Sequence, residues 1–258
     1  MADPQELLDL AVEAAEDAAG LLRTERPETI DTKSSGTDLV TDLDRAAEAL
    51  IVGRLLDARP QDGVLGEEGG ERTGSSGVRW VVDPLDGTTN FVYDYPAYGV
   101  SIAAEADGEV VAGVVVDLTR GHRFTAVRGG GAARDGRAIH VAPATELATA
   151  LIATGFSYDR ETRGRQAEVL TTVLPAVRDL RRSGSAALDL CSVAAGRVDG
   201  FWERGLALWD RAAGGLIAAE AGARVDRLGT AEPLTLVAAP PGLYEAFTAL
   251  LEAAGAAF

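Results

Sequence analysis

The stretch that most constrains this chain is an apolar strand that runs into two carboxylates, Trp80-Val-Val-Asp83-Pro-Leu-Asp86-Gly-Thr88-Thr89-Asn90-Phe91. The strand delivers Asp83 at its end. Pro84 then opposes simple continuation, and Gly87 permits a tight reversal before Thr88 and Thr89 open a short helix. Two acids three residues apart at such a corner can converge on one point. The N–H groups of Gly87, Thr88 and Thr89 are available to an anion there. Hard oxygen ligands beside an anion cradle suit Mg²⁺ together with a phosphate group. Taken alone, the string reads more readily as a capped turn.

The same juxtaposition recurs. Glu67 and Glu68 directly follow the short apolar run Val64-Leu65-Gly66, and Asp210 stands at the start of a helix after Leu206-Ala-Leu-Trp209. Asp38, Asp42 and Asp44 surround the opening of another helix. Each acid by itself is explained as a solvated loop charge or a dipole-matched first-turn residue. Their repetition where apolar strands end and helices begin asks for a common cause.

Around these points the chain alternates. Leu7, Leu10, Ala11, Ala14, Ala18, Leu21 and Leu22 predict an amphipathic helix over residues 4–24, and a second follows over 41–57. Residues 32–38 and 69–77 read as polar connections, the latter as a mobile loop. Strands are expected at 80–82, 98–104, 110–116 and 123–127, then at 151–154, 198–202 and 234–238. Helices are expected at 160–180, 185–195, 208–221 and 242–254. Without a regular βαβ rhythm, this mixture points to an α+β layered fold. The 258 residues suit one unit made of two packed halves, 1–145 and 146–258.

Net charge of -16 repels nucleic acid. It would repel a phosphate ester too, unless bound cations reverse the field locally. Of the 24 lysines and arginines only Lys33 is a lysine, and Cys191 is the sole cysteine. A reducing, cytoplasmic setting is expected, with no membrane span and no secretion signal.

With Gly66-Glu67-Glu68, Asp83 to Phe91, Trp209-Asp210-Arg211-Ala212-Ala213-Gly214 and Lys33 ahead of Asp38-Leu-Val-Thr41, the chain resembles the inositol monophosphatase family over nearly its whole length. The resemblance implies a five-layered αβαβα sandwich of the inositol monophosphatase and fructose-1,6-bisphosphatase type, usually a homodimer. It implies two to three Mg²⁺ ions. Glu67, Asp83 and the Leu85 carbonyl would hold the first, and Asp83, Asp86 and Asp210 the second, with a third near Glu67. Thr88, hydrogen-bonded to Asp44, and Glu67 would prepare the attacking water, while Gly87 and Thr88 would hold the phosphate. Asp86, Ala186 and Glu203 would bind the polyol. Lys33, Glu68 and Ser185 are possible members of the site, with Ser157 and Arg160 at its edge.

The implied reaction is hydrolysis of inositol monophosphate without a phosphoenzyme. Histidinol phosphate, fructose 1,6-bisphosphate, NADP and 3′-phosphoadenosine 5′-phosphate are the alternatives within the family. A haloacid-dehalogenase-type phosphatase is disfavoured because Asp83 and Asp86 are separated by two residues and lie far from the first strand. Serine or zinc hydrolysis has no G-x-S-x-G and only His122 and His140 to work with. A catalytically silent binding protein would be expected to have lost an acid from the set, and none is missing.

Overall fold

The computed structural model describes residues 2–257. Asp3 accepts the Gln5 N–H and so caps α1 (Pro4–Thr24), whose Pro4 sits where a missing N–H has no consequence. A hairpin of β1 (Ile30–Thr32) and β2 (Leu39–Thr41) leads into α2 (Asp42–Ala58). Thr41 and Asp44 exchange hydrogen bonds with each other's backbone N–H, a capping box that fixes where α2 begins.

The first large sheet follows: β3 (Gly63–Gly66), β4 (Gly70–Arg72), β5 (Val78–Asp86), then, after the short helix α3 (Thr88–Val92), β6 (Gly99–Ala106), β7 (Glu109–Asp117), β8 (His122–Val127), β9 (Gly131–Arg134) and β10 (Arg137–Ala138). Its order is β10-β9-β8-β7-β6-β5-β3-β4, antiparallel except for the β3–β5 pair. The remaining elements are β11 (Leu151–Thr154), α4 (Arg160–Val173), β12 (Asp179–Arg181), α5 (Ala186–Ala194), β13 (Gly200–Arg204), α6 (Leu208–Glu220), β14 (Arg224–Leu228), β15 (Thr235–Ala239) and α7 (Pro241–Ala253). They build a second sheet ordered β12-β11-β13-β15-β14.

Two-residue alternation assigns each strand to two cores. On β5, Trp80 and Val82 face the core shared with α1 and α2, whereas Val81 faces the core shared with α5 and α6. On β13, Phe201 joins the middle core and Trp202 the outer one beneath α7. The result is α1 and α2, sheet, α5 and α6, sheet, α4 and α7. This is the αβαβα sandwich that the resemblance implied.

Three expectations need correction. Residues 69–77 are not all loop, because Gly70–Arg72 pairs with β3 as β4. β5 does not stop at Asp83; it continues past Pro84 to Asp86 through a shift in register, the position at which a sheet tolerates a residue with no N–H. The helix expected to reach residue 180 ends at Val173, and Pro175 lies in the 3-10 turn that follows. Asp179–Arg181 then pairs with β11.

Candidate functional site

Just before the register shift in β5, Asp83 is 1% exposed and accepts a hydrogen bond from the Leu85 N–H at 3.0 Å. The register shift turns the chain so that Asp86 leaves on the far side, toward α5. Its Oδ2 accepts from Ser185 Oγ at 2.6 Å and the Ala187 N–H at 2.7 Å, with Ala186 N–H also directed at it. Gly87 takes φ 96°, and a Cβ there would stand 2.9 Å from the Ala97 carbonyl, so the corner requires glycine. Thr88 Oγ1 lies 2.8 Å from Asp44 Oδ1 and 3.1 Å from the Leu85 carbonyl. Asn90 ties the corner to the loop before α5 by donating to Ala97 O and Ser183 O.

Asp210, the third residue of α6, reaches back to accept the Ala207 N–H at 2.7 Å. Glu67 follows β3, and its N–H donates to the Val82 carbonyl. Lys33, in the β1–β2 turn, places Nζ 2.6 Å from Glu67 Oε1 and also pairs with Glu68. Burial disfavours that ammonium, but the two glutamates outweigh burial and raise its pKa.

Sequence reasoning passed over Glu48, one turn beyond Asp44 on α2. It is buried, and its two oxygens accept the Glu68 N–H at 2.9 Å and the Gly69 N–H at 2.5 Å. A Cβ at Gly66 or Gly69 would lie 2.6 Å from its carboxylate, which is why this loop carries glycine on both sides of the glutamates. The available signal was an acid at an inward helical step beside Ala47 and Ile51.

The electrostatics of the group are one-sided. Burial raises the Asp83 pKa well above the ordinary carboxylate range, and Glu67, Asp86 and Asp210 push it in the same direction. Asp86 is pushed up to about 6 by burial, against the opposing hydrogen bonds from Ser185 and Ala187. Asp210 rises to about 8 through burial, Asp86 and Glu67. Four acids from three element ends therefore act on one another, and the only lysine in the chain already leans on one of them.

All the converging atoms are carboxylate or carbonyl oxygens, the donor set of a hard divalent cation. Lys33 already supplies positive charge beside Glu67, as such an ion would. Among the described residues no three acidic, histidine or cysteine side chains stand in finished ligand geometry around one point. The acids are instead turned to Lys33, Ser185, Ala187 and Ala207, and an ion would draw them inward.

Beside Asp86 and Asp210 opens a cavity of about 100 Å³ that also reaches Ala186 and Glu203. Burial, with Asp210, Asp189 and Asp86, raises the Glu203 pKa well above the usual carboxylate range. A Cβ at Gly155 would lie 2.0 Å from its carboxylate. Asp189, raised to about 7 mainly by burial, and Arg182 line the same cavity, and sequence reasoning missed both. An acid inside the apolar run of α5 was the signal for Asp189. Ser157 and Arg160 do not line the cavity. Ser157 instead turns its N–H to Gln166 at 2.8 Å, and Phe156 and Tyr158 on either side of it face inward.

Residues 3–255 match the sequence pattern of the inositol monophosphatase family. The inositol-1-monophosphatase SuhB of Mycobacterium tuberculosis is 46% identical over 275 aligned positions, spanning 97% of this chain and 94% of that protein. A Pseudomonas aeruginosa protein named Nus factor SuhB is 42% identical over 261 positions, spanning 96% and 95%. The solved structure of Mycobacterium tuberculosis SuhB superposes with a TM-score of 0.86 at 43% identity and covers 98% of both chains.

Proposed function

Since the chain belongs to the inositol monophosphatase family, we propose that it is a Mg²⁺-dependent phosphomonoesterase that hydrolyses inositol monophosphate to inositol and phosphate. The carrying observation is the meeting of Glu67, Asp83, Asp86 and Asp210, of which Asp83 and Asp210 each accept one backbone hydrogen bond and are burdened by the other acids. In this reading Glu67, Asp83 and the Leu85 carbonyl hold one ion, Asp83, Asp86 and Asp210 a second, and water around Glu67 a third. Bound Mg²⁺ would keep the acids ionised, activate a water and stabilise the departing alkoxide.

The chain's own residues do the rest. Thr88 gives its proton to Asp44, which leaves its hydroxyl oxygen free to accept one from the attacking water. Asp44 is buried and already receives hydrogen bonds from Thr41, so it holds Thr88 in one orientation. The N–H groups of Gly87 and Thr88 donate to phosphate oxygens. Glu203, its pKa raised by burial, meets the ring hydroxyls, with Asp86 and the Ala186 backbone beside it. Lys33 steadies Glu67 and Glu68 until the ions enter. Residues 1–145 and 146–258 thus act as one unit, since Asp210, Ala186 and Glu203 come from the second half. A homodimer in the cytoplasm completes the proposal.

Phosphate release should be measured at pH 8 with Mg²⁺ and with EDTA. The substrates are inositol 1-phosphate, histidinol phosphate, fructose 1,6-bisphosphate, NADP and 3′-phosphoadenosine 5′-phosphate. The reading requires Mg²⁺-dependent release led by inositol 1-phosphate. A different leading substrate keeps the chemistry and moves the role; no release from any of them removes the catalytic reading. The relative named Nus factor favours a binding role as a second reading. Such a role would survive Asp83→Asn, whereas turnover would not.

A further inference from the structure

Beyond the acids, we infer a second site, which takes an anion and lies against α6 around Arg211, Arg227 and Arg128. Its ligand combines a phosphate-like or carboxylate head with an apolar body. A cavity of about 320 Å³ opens there, with the three arginines on its walls and Leu216, Val225 and Leu236 among its apolar lining.

Arg211 is the fourth residue of α6, where the positive end of the helix dipole disfavours a cation. Its Nε is buried and donates to nothing. Arg227 lines the same cavity. A water could accept from Nε, but it would not offset the guanidinium charge; an anion does both.

Two acids also line the cavity, and both are already engaged. Glu220 accepts the Gly129 and Gly131 N–H groups at 2.8 and 2.9 Å, one on each oxygen. Asp226 Oδ2 accepts from Arg224 Nε at 2.8 Å. Arg227 gives one nitrogen to Glu232, and Arg128 gives its Nε to the Val110 carbonyl and lies 3.6 Å from Glu109. Three arginines and two engaged acids thus line a partly apolar recess on a chain of net charge -16. An anionic head forms forked hydrogen bonds with guanidinium groups, and the apolar lining favours a body over a bare ion.

The test is calorimetric titration of the full chain in EDTA, a condition in which the acids of the proposed catalytic site repel anions. Phenylphosphonate and benzoate serve as the two head groups, and inorganic phosphate as the head without a body. The inference expects saturable binding of at least one of the two aromatic anions, weaker binding of inorganic phosphate, and no change in Asp83→Asn. Arg211→Gln should bind about tenfold more weakly, with an unchanged circular dichroism spectrum. Arg227→Gln, at a residue on β14 away from the helix, should weaken binding in the same direction. Absence of saturable binding, or equal affinity in Arg211→Gln and wild type, overturns the site. Because the readout is heat from metal-free protein, this result is independent of whether the chain turns over any phosphate ester.

Discussion

Asp62 and Asp83 lie near the two ends of β5, and each is 1% exposed. Asp62 is surrounded by donors: Arg59 Nε at 2.5 Å, Ser76 Oγ at 2.6 Å and the Trp80 indole N–H at 2.9 Å. Asp83 has the Leu85 N–H and three acids for company. Asp117, equally buried, resembles Asp62, taking hydrogen bonds from Thr119 and Arg120. A structural carboxylate is folded together with its own donors. Asp83 is folded without them, and its ionised form is stable only if positive charge comes from outside the chain.

The comparison breaks most sharply at Asp83. Asp83→Asn should lower Mg²⁺-dependent phosphate release by on the order of 100-fold or more while thermal unfolding shows the fold intact. A variant retaining more than about a tenth of the wild-type rate would place Asp83 among the structural acids. The converse holds at the other end of β5. Asp62→Ala strands Arg59 and the Trp80 N–H, and urea denaturation should show a loss of about 3 kcal/mol, with turnover per folded molecule unchanged.

A smaller effect is expected at Glu48, which touches the site through backbone alone. Gln at that position can accept only on one side, so one of the Glu68 and Gly69 N–H groups loses its partner. The rate should fall about tenfold, with Glu48→Asp recovering part of it. Stability unchanged and activity unchanged would together make Glu48 dispensable.

The last consequence is in pH. Asp86 and Asp210 have folded pKa values of about 6 and about 8 against an ordinary 3.8. Without cations the folded chain therefore holds more protons than the unfolded one. The stability this confers is complete below pH 3.8 and lost as pH rises through 6 and then 8. In EDTA the Tm should fall across that window, and Mg²⁺ should flatten the slope. A metal-free Tm independent of pH, or a slope that Asp210→Asn leaves untouched, would show that the acids do not burden one another.

Much of the architecture was legible from periodicity. The helix over 4–24 stands within the expected bounds, and β6, β7 and β8 lie within two residues of the expected strands. The short edge strands β4, β12 and β14 were not legible. Gly70–Arg72 is exposed throughout, Asp179–Arg181 offers the core only Leu180, and Arg224–Leu228 is mostly exposed, so they are held chiefly by backbone hydrogen bonds to a neighbour. Helix ends, by contrast, announce themselves through local side-chain chemistry, as Thr41 and Asp44 do for α2.

The site divides along the same line. The sequence by itself determined that acids sit where β3 and β5 end and where α2 and α6 begin, because apolar runs and capping residues are local signals. Only the tertiary structure decided which acids meet. Asp62 and Asp83 have the same side chain, and their opposite fates follow from what strand pairing brings beside them. Glu48 and Asp189 gained their places in the same way, through packing partners 20 or more residues away in the chain for Glu48 and across the layers for Asp189. Hydrogen-bond donors and like charges arrive from distant segments, and only packing sets their distances.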